Sequence, residues 1–249
     1  MRRSEINALI REGADFIMSR NIALPPQAYW DLEYWRIRWK EDPVRTEGAS
    51  RERNGWDITD FGHGDYQHLG LLLYTSSNGI LGPDGQPVDQ TYANKYLVVG
   101  EGQITPMHHH LSKIEDIICL SGGDLQIQVY NVGEDNALDT ETPVRIKHDG
   151  CFWEEHNPEY TISMKHGQRV RLETHHYHKF WGKPGTGTVL VEETSMVNDD
   201  EKDNQFLPED KIGRFPSIEE DEMPKFLLCT ELPGSERFRE LVFFYLGSQ

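Results

Sequence analysis

The chain has 249 residues, 37% of them hydrophobic, a net charge of −17 and a mean hydropathy of −0.66. That length fits one large domain or two small ones and buries a substantial core. The acidic balance argues against nucleic acid and anionic membranes as partners, since both need basic patches. No apolar run reaches the roughly 18 residues of a membrane span.

Cys119, Cys151 and Cys229 are odd in number and include no Cys-x-x-Cys, so they read as reduced thiols of a cytoplasmic protein. The basic start, Met1-Arg2-Arg3, is followed by apolar runs that charges keep breaking, which leaves no signal-peptide core. Residues 4–20 predict an amphipathic helix capped by Ser4, with Ile6, Leu9, Ile10, Phe16 and Ile17 at three- and four-residue spacing. Leu24-Pro25-Pro26 closes that unit, a second short helix follows over Ala28–Lys40, and residues 41–55 read as a charged loop.

After Gly55 the texture changes. Asp57–Asp65 is turn-rich, and short β-like runs follow: Leu69–Thr75, Lys95–Val99, Ile117–Tyr130, Val144–Lys147, Thr161–Met164, Gln168–Glu173, Thr188–Glu193 and Phe226–Thr230. Gly, Pro, Asn and Asp punctuate them, the pattern of a sandwich or barrel. The fold is therefore expected to be mainly β, with residues 1–54 a helical extension packed on a barrel of residues 55–249. The acidic segment Asn198–Glu222 is interrupted by Phe206, Ile212, Phe215 and Ile218, and is expected to be an ordered cover over the barrel.

The chemistry concentrates in Pro106-Met-His-His-His-Leu-Ser-Lys-Ile-Glu-Asp116. In a strand, residues i and i+2 share a face. His108 and His110 then aim at one point, and Lys113 and Glu115 do the same just after; His109 points to the other face and carries no role. A second cluster, His175-His176-Tyr177-His178, follows another β-like run. If the clusters meet, His108, His110, Glu115 and His178 offer three imidazoles and a carboxylate, leaving two positions open on a six-coordinate ion. Imidazole suits Zn, Cu, Fe and Ni, while a carboxylate with open oxygen positions brings in Mn. The lack of sulfur speaks against structural zinc. His175 and His176 compete with His178, which its place just before Phe180 and Trp181 favours. Phe180, Trp181 and Trp153 read as core, and His148, His156 and His166 show no partner spacing.

Pro106-x-His-x-His with Glu115, Gly-rich turns and a later His resemble the two cupin motifs, though no Pro-x-Gly precedes His178. More closely, the chain resembles the bacterial D-lyxose isomerase family, over nearly its whole length. The strings that carry this are Arg3–Asn7, Gly55–Gly62, Pro106–Ile118, Tyr177–Gly182, Ser195–Asp200, Asp203-Asn204, Ile212–Pro216 and Glu219–Glu222. The resemblance implies a cupin jelly-roll barrel, a homodimer, a monosaccharide substrate and Mn²⁺, with Co²⁺ as an alternative. It implies interconversion of D-lyxose with D-xylulose, and of D-mannose with D-fructose, by proton transfer through a cis-enediol. It carries metal ligation onto His108, His110, Glu115 and His178, the catalytic lysine onto Lys113, and a catalytic carboxylate onto Glu209, with Asp210 as the substitute. Leu111 stands where the family is expected to carry an aromatic residue. Two alternatives fit the same barrel: a non-haem Fe(II) dioxygenase, since two histidines and a carboxylate suit Fe(II), and a non-catalytic sugar-binding cupin, which has no need of Lys113.

Overall fold

Three helices open the computed structural model, which describes residues 1–197, 199–213 and 216–247. They are α1 (Arg3–Ser19), α2 (Leu32–Glu41) and α3 (Pro43–Arg51). Strands follow: β1 (Gly55–Thr59), β2 (Leu71–Ser77), β3 (Tyr92–Val99), β4 (Ile104–His110), β5 (Glu115–Gly122), β6 (Leu125–Val132), β7 (Leu138–Asp139), β8 (Val144–His148), β9 (Phe152–His156), β10 (Thr161–Met164), β11 (Arg169–Leu172), β12 (His176–Gly182) and β13 (Val189–Met196). The short helix α4 (Asp200–Asp203), strand β14 (Asn204–Phe206) and helix α5 (Glu236–Leu246) complete the order.

The strands form two antiparallel sheets, one ordered β1-β2-β3-β13-β5-β11-β8-β9 and the other β10-β6-β12-β4-β14, with β7 on β6. Their inner faces share one apolar core, to which Leu73, Leu97, Val99, Ile117, Val189 and Val191 come from the first sheet and Leu125, Ile127, Ile162 and Phe180 from the second. This is the mainly β, two-sheet architecture expected from the strand spacing, and the cupin jelly roll that the resemblance implies. The run Ile117–Tyr130 is two strands rather than one: Gly122-Gly123 breaks it, sending β5 and β6 to different sheets.

Strand β2 is apolar on both faces for a physical reason. Leu72 and Tyr74 pack outward with Ile6, Ile10, Ala14 and Ile17 of α1, while Leu71 and Leu73 face a cavity inside the barrel. The helix can sit this close because Gly13 lies over Leu72, whose Cδ2 would stand 2.4 Å from a side-chain carbon there. Ser4 does not cap α1. The helix starts at Arg3, and the Ser4 N–H and hydroxyl donate to Asp221 (2.9 and 2.6 Å). Arg3 itself is fully buried between Glu220 and Glu231.

Where a charged loop was expected, α3 forms; Asp42 caps it and Pro43 opens it. Phe226–Thr230 is not a strand but a buried extended segment with one bridge, Trp56↔Leu228, running into a 3₁₀ turn. Its apolar run reflects cover on both sides: Phe226 and Leu228 join the α1 cluster, and Leu227 joins α2 and α5. Two strings singled out in the sequence meet where Gly62, at φ 79°, lies against Gly213; a Cβ on Gly62 would stand 3.0 Å from the Gly213 Cα. Asn198, Arg214 and Phe215, which belong to three of those sequence segments, lie outside the described residues. No helix among the described residues is long and apolar enough to cross a membrane.

Candidate active site

Strand β4 carries an irregularity that builds the site. His178 of β12 sits directly opposite His108, but Phe180 sits opposite Thr105, so β4 holds one residue more than its partner between these points. That bulge, at Pro106-Met107, resets the alternation, so Thr105, His108 and His110 all line the cavity. Cross-strand pairing brings the His108 and His178 rings to 4.1 Å, with His110 at 5.2 and 5.4 Å from them. The three rings offer nitrogens that lie within 4.8 Å of one another. His109 points to the other face against Tyr177 (4.5 Å), as period-two alternation requires. His176 stays at the start of β12, where its Nδ1 accepts from the Glu173 N–H.

The ring orientations are fixed from behind. His108 Nδ1–H donates to the Pro106 carbonyl (2.8 Å) and His178 Nδ1–H to the His176 carbonyl (3.2 Å), which leaves both Nε2 lone pairs facing the centre. His110 Nδ1 faces Asp203 (3.3 Å), whose Oδ1 accepts from the Ser112 N–H and hydroxyl (2.7 and 2.6 Å). Glu115 Oε1 lies 3.3 Å from His110 Nε2 and 3.2 Å from His178 Nε2. These nitrogens are buried yet lack a partner in hydrogen-bonding geometry. Buried polar atoms are almost always satisfied, and a cation among His108, His110, His178 and Glu115 would satisfy these. The donor set, all nitrogen and oxygen, fits a divalent metal.

Electrostatics agree with that fit. Burial, then His178 and His110, push His108 well below the usual imidazole range, so its lone pair is available. Burial and Lys113 pull His110 down as well, but Glu115 and Asp203 together carry it above its ordinary value. Burial raises Glu115, yet Lys113 and the histidines hold it well below the usual carboxylate range. Asp203 is likewise raised by burial and overruled by its bonds to His110 and Ser112, which hold it down at about 2. Partners that orient a metal-binding imidazole typically contribute 10- to 100-fold in affinity. With a divalent ion held by His108, His110, His178 and Glu115, Asp203→Asn is therefore expected to weaken its binding by about that factor while leaving those four side chains in place, as read by chelator competition.

Beside this cluster lies a buried charge chain that sequence reasoning missed in part. Lys113 Nζ stands 2.7 Å from Glu115 Oε2 and 2.9 Å from Glu193 Oε1, and Lys95 Nζ is 3.3 Å from the same Glu193 oxygen. Glu193 sits opposite Lys95 on β3 and Ile117 on β5, so all three face inward. The cavity encloses about 80 Å³ of water-accessible space, walled by Leu71, Leu73, Leu97, Ile117 and Phe180, with Asp57, Thr59 and Asn204 adding polar groups. Phe206 and Asn204 reach it because β14 pairs with β4 opposite His108 and His110. Glu209 is placed differently: it is exposed on the 3₁₀ turn Pro208–Asp210 and, like Asp210, does not line the cavity.

A pocket with apolar walls has three buried imidazoles on one side and a buried lysine–glutamate pair on the other, groups that can hold a cation and move protons on a small polar molecule. Fold and pocket together define a cupin-type enzyme. A family model described as D-lyxose isomerase matches residues 1–232. A Serratia proteamaculans protein named D-lyxose/D-mannose isomerase is 37% identical over 93% of this chain and 97% of its own, and one of the same name from Escherichia coli O157:H7 is 35% identical over 93% and 98%. The chain belongs to the D-lyxose isomerase family and is an aldose–ketose isomerase. Among solved structures, Cellulomonas parahominis L-ribose isomerase shares the fold with a TM-score of 0.55 at 16% identity, covering 88% of this chain and 98% of that one. The Geodermatophilus obscurus L-ribose isomerase gives 0.54 at 14%, covering 87% and 98%. Family membership favours the isomerase over the Fe(II) oxygenase and the sugar-binding cupin.

Proposed function

We propose that the protein interconverts D-lyxose with D-xylulose, and D-mannose with D-fructose, by proton transfer through a cis-enediol. The observation that carries this reading is the buried Lys113–Glu193 pair, in a cavity it shares with three imidazoles and Glu115. The two curated relatives bear the name D-lyxose/D-mannose isomerase, which agrees with the sugars proposed.

Moving the carbonyl between C1 and C2 requires a base at carbon and a proton exchanger for O1 and O2. We assign the carbon proton to Glu193, in place of the exposed Glu209, because Glu193 is a buried carboxylate on the cavity wall. Lys95 and Lys113 fix its position from two sides. Lys113 exchanges the oxygen proton and, as an ammonium among apolar walls, offsets the charge that develops on the enediolate. Leu71, Leu73, Leu97 and Phe206 keep water from the carbanion-like centre. His108, His110, Glu115 and His178 would hold a divalent ion, Mn²⁺ or in its place Co²⁺, which when bound supplies Lewis-acid stabilisation of the developing negative oxygen.

The same reading gives a homodimer, and a cytoplasmic location where cysteines as few and scattered as Cys119, Cys151 and Cys229 stay reduced. It also treats residues 1–54 as a helical extension of the barrel of residues 55–249, with segment 198–222 as its cover. The test is an isomerase assay across D-lyxose, D-mannose and D-ribose, with metal analysis of the same sample; absence of turnover on D-lyxose and D-mannose with the metal bound sinks the assignment. Lys113→Ala is expected to cut turnover by about 10²-fold or more with metal content intact.

A further inference from the structure

Two histidines that sequence spacing left unplaced meet at the far edge of the eight-stranded sheet. Strand β9 is its terminal strand, and two strands, β11 and β8, separate it from the strand that carries Glu115. In the β8–β9 register, His148 pairs with Phe152, Ile146 with Glu154 and Val144 with His156. Alternation therefore puts His148, Glu154 and His156 on one face of the hairpin. Their side chains converge: His148 Nε2 and His156 Nε2 are 2.8 Å apart, and Glu154 Oε2 is 3.8 Å from His156 Nε2. Tyr160 stacks on the His156 ring at 4.8 Å and 10°, which fixes its plane. The cations of the hairpin point away, since Arg145 and Lys147 lie on the opposite face against Trp153 (4.8 and 5.9 Å). Trp153 is about half exposed at this edge instead of lying in the core.

We propose that His148, Glu154 and His156 form a second metal site, for a zinc-type transition ion, that clamps the β8–β9 hairpin. Two imidazoles and one carboxylate, with water as the fourth ligand, make a tetrahedral donor set suited to Zn²⁺. Zinc–nitrogen bonds of about 2.0–2.1 Å in that geometry place two ligand nitrogens about 3.3 Å apart. The present pair needs to open by only about half an ångström, and Glu154 already stands near enough to close on the ion. All three ligands come from two strands joined by a tight turn at Asp149-Gly150, so little chain must be ordered on binding. The competing use of the same geometry is a proton shared between the two rings with no ion bound.

The experiment is equilibrium dialysis of the metal-stripped chain against Zn²⁺, with metal analysis and melting curves. The wild type is expected to take up about two equivalents, the second raising Tm, against about one for His148→Asn with His156→Asn at unchanged isomerase activity. Glu154→Gln, at a mostly exposed side chain, is expected to weaken the second equivalent about tenfold and keeps the test decisive if the double variant does not fold. One equivalent in the wild type, or equal uptake by wild type and Glu154→Gln at every Zn²⁺ concentration, overturns the site and leaves the shared proton as the account of the pair.

Discussion

Glu193→Gln is expected to lower kcat by about 10²- to 10⁴-fold and kcat/KM equally, with the divalent ion still bound. A glutamine keeps the volume and can still accept from Lys113 and Lys95, so the cavity retains its shape. What it loses, with Glu193 as the base proposed above, is the capacity to take a proton from carbon. An interaction used only in the transition state lowers kcat and kcat/KM together, whereas a merely structural role would show first in stability or in KM. In deuterated solvent the wild type should place deuterium on the carbon that receives the proton, and in the variant that exchange should slow in parallel with turnover. Glu209→Gln, on the exposed turn, should stay near wild type. If the order is reversed, the base is Glu209, brought in by movement of its segment, and Glu193 is only a counter-ion for the two lysines.

Why His108 and His110 were legible in the sequence while Glu193 was not follows from strand burial. The histidines stand in a short polar run where alternation alone assigns a face, and Glu115 follows within the same segment. His178 needed a long-range meeting, which the resemblance implied and the β12–β4 pairing supplies. Glu193 lies at the end of Val189-Leu-Val-Glu-Glu193 on β13, a strand hydrogen-bonded on both edges. One of its faces packs on the barrel core and the other on α1, through Leu190. A strand buried on both sides reads as a continuous apolar run, and the parity that would expose an inward charge is hidden. The signal was nonetheless there: Val189, Val191 and Glu193 share a face, as do Lys95, Leu97 and Val99, and a charge on a core-facing parity is the informative exception.

Strand β1 escaped for the opposite reason. Its inward residues, Asp57 and Thr59, are polar because they line the cavity, so the strand lost its apolar inner face and read as a turn. Helix α3 buries little beyond Thr46, and only its Asp42-Pro43 start marked it. The two histidines of the β8–β9 hairpin are eight residues apart, a spacing with no meaning until the turn between them is known.

Arg3→Ala is expected to cost about 3–5 kcal/mol of unfolding free energy, a fall in Tm of about 10 °C for a chain of this size. Arg3 is fully buried. It donates to Glu220 from Nε and one terminal nitrogen (3.0 and 2.8 Å) and to Glu231 from both terminal nitrogens (3.1 and 2.5 Å). Glu231 is itself buried and also accepts from the Leu228 N–H, while Glu220 is shared with Arg237 and Tyr245. One guanidinium thus ties the first turn of α1 to the segment leading into α5. Truncating it strands a buried carboxylate, and it is that desolvated charge, more than the lost bonds, that sets the cost.

A double variant, Arg3→Met with Glu231→Gln, leaves no charge stranded there and should recover part of the loss. Equal stability of Arg3→Met alone and of the double variant would show that the stranded Glu231 carboxylate does not set the cost. The pH dependence has a definite sign. Burial raises Glu220, but Arg3 overrules it and holds it below its ordinary value. Its contribution is therefore present above the unfolded-state value and lost as pH falls through the lower folded value, and Arg3→Ala should flatten that acid limb. The site should be spared well below the melting temperature. Helix α1 meets the outer residues of β2, Leu72 and Tyr74, whereas the cavity is walled by Leu71 and Leu73, so metal content and kcat measured there are expected to stay close to wild type.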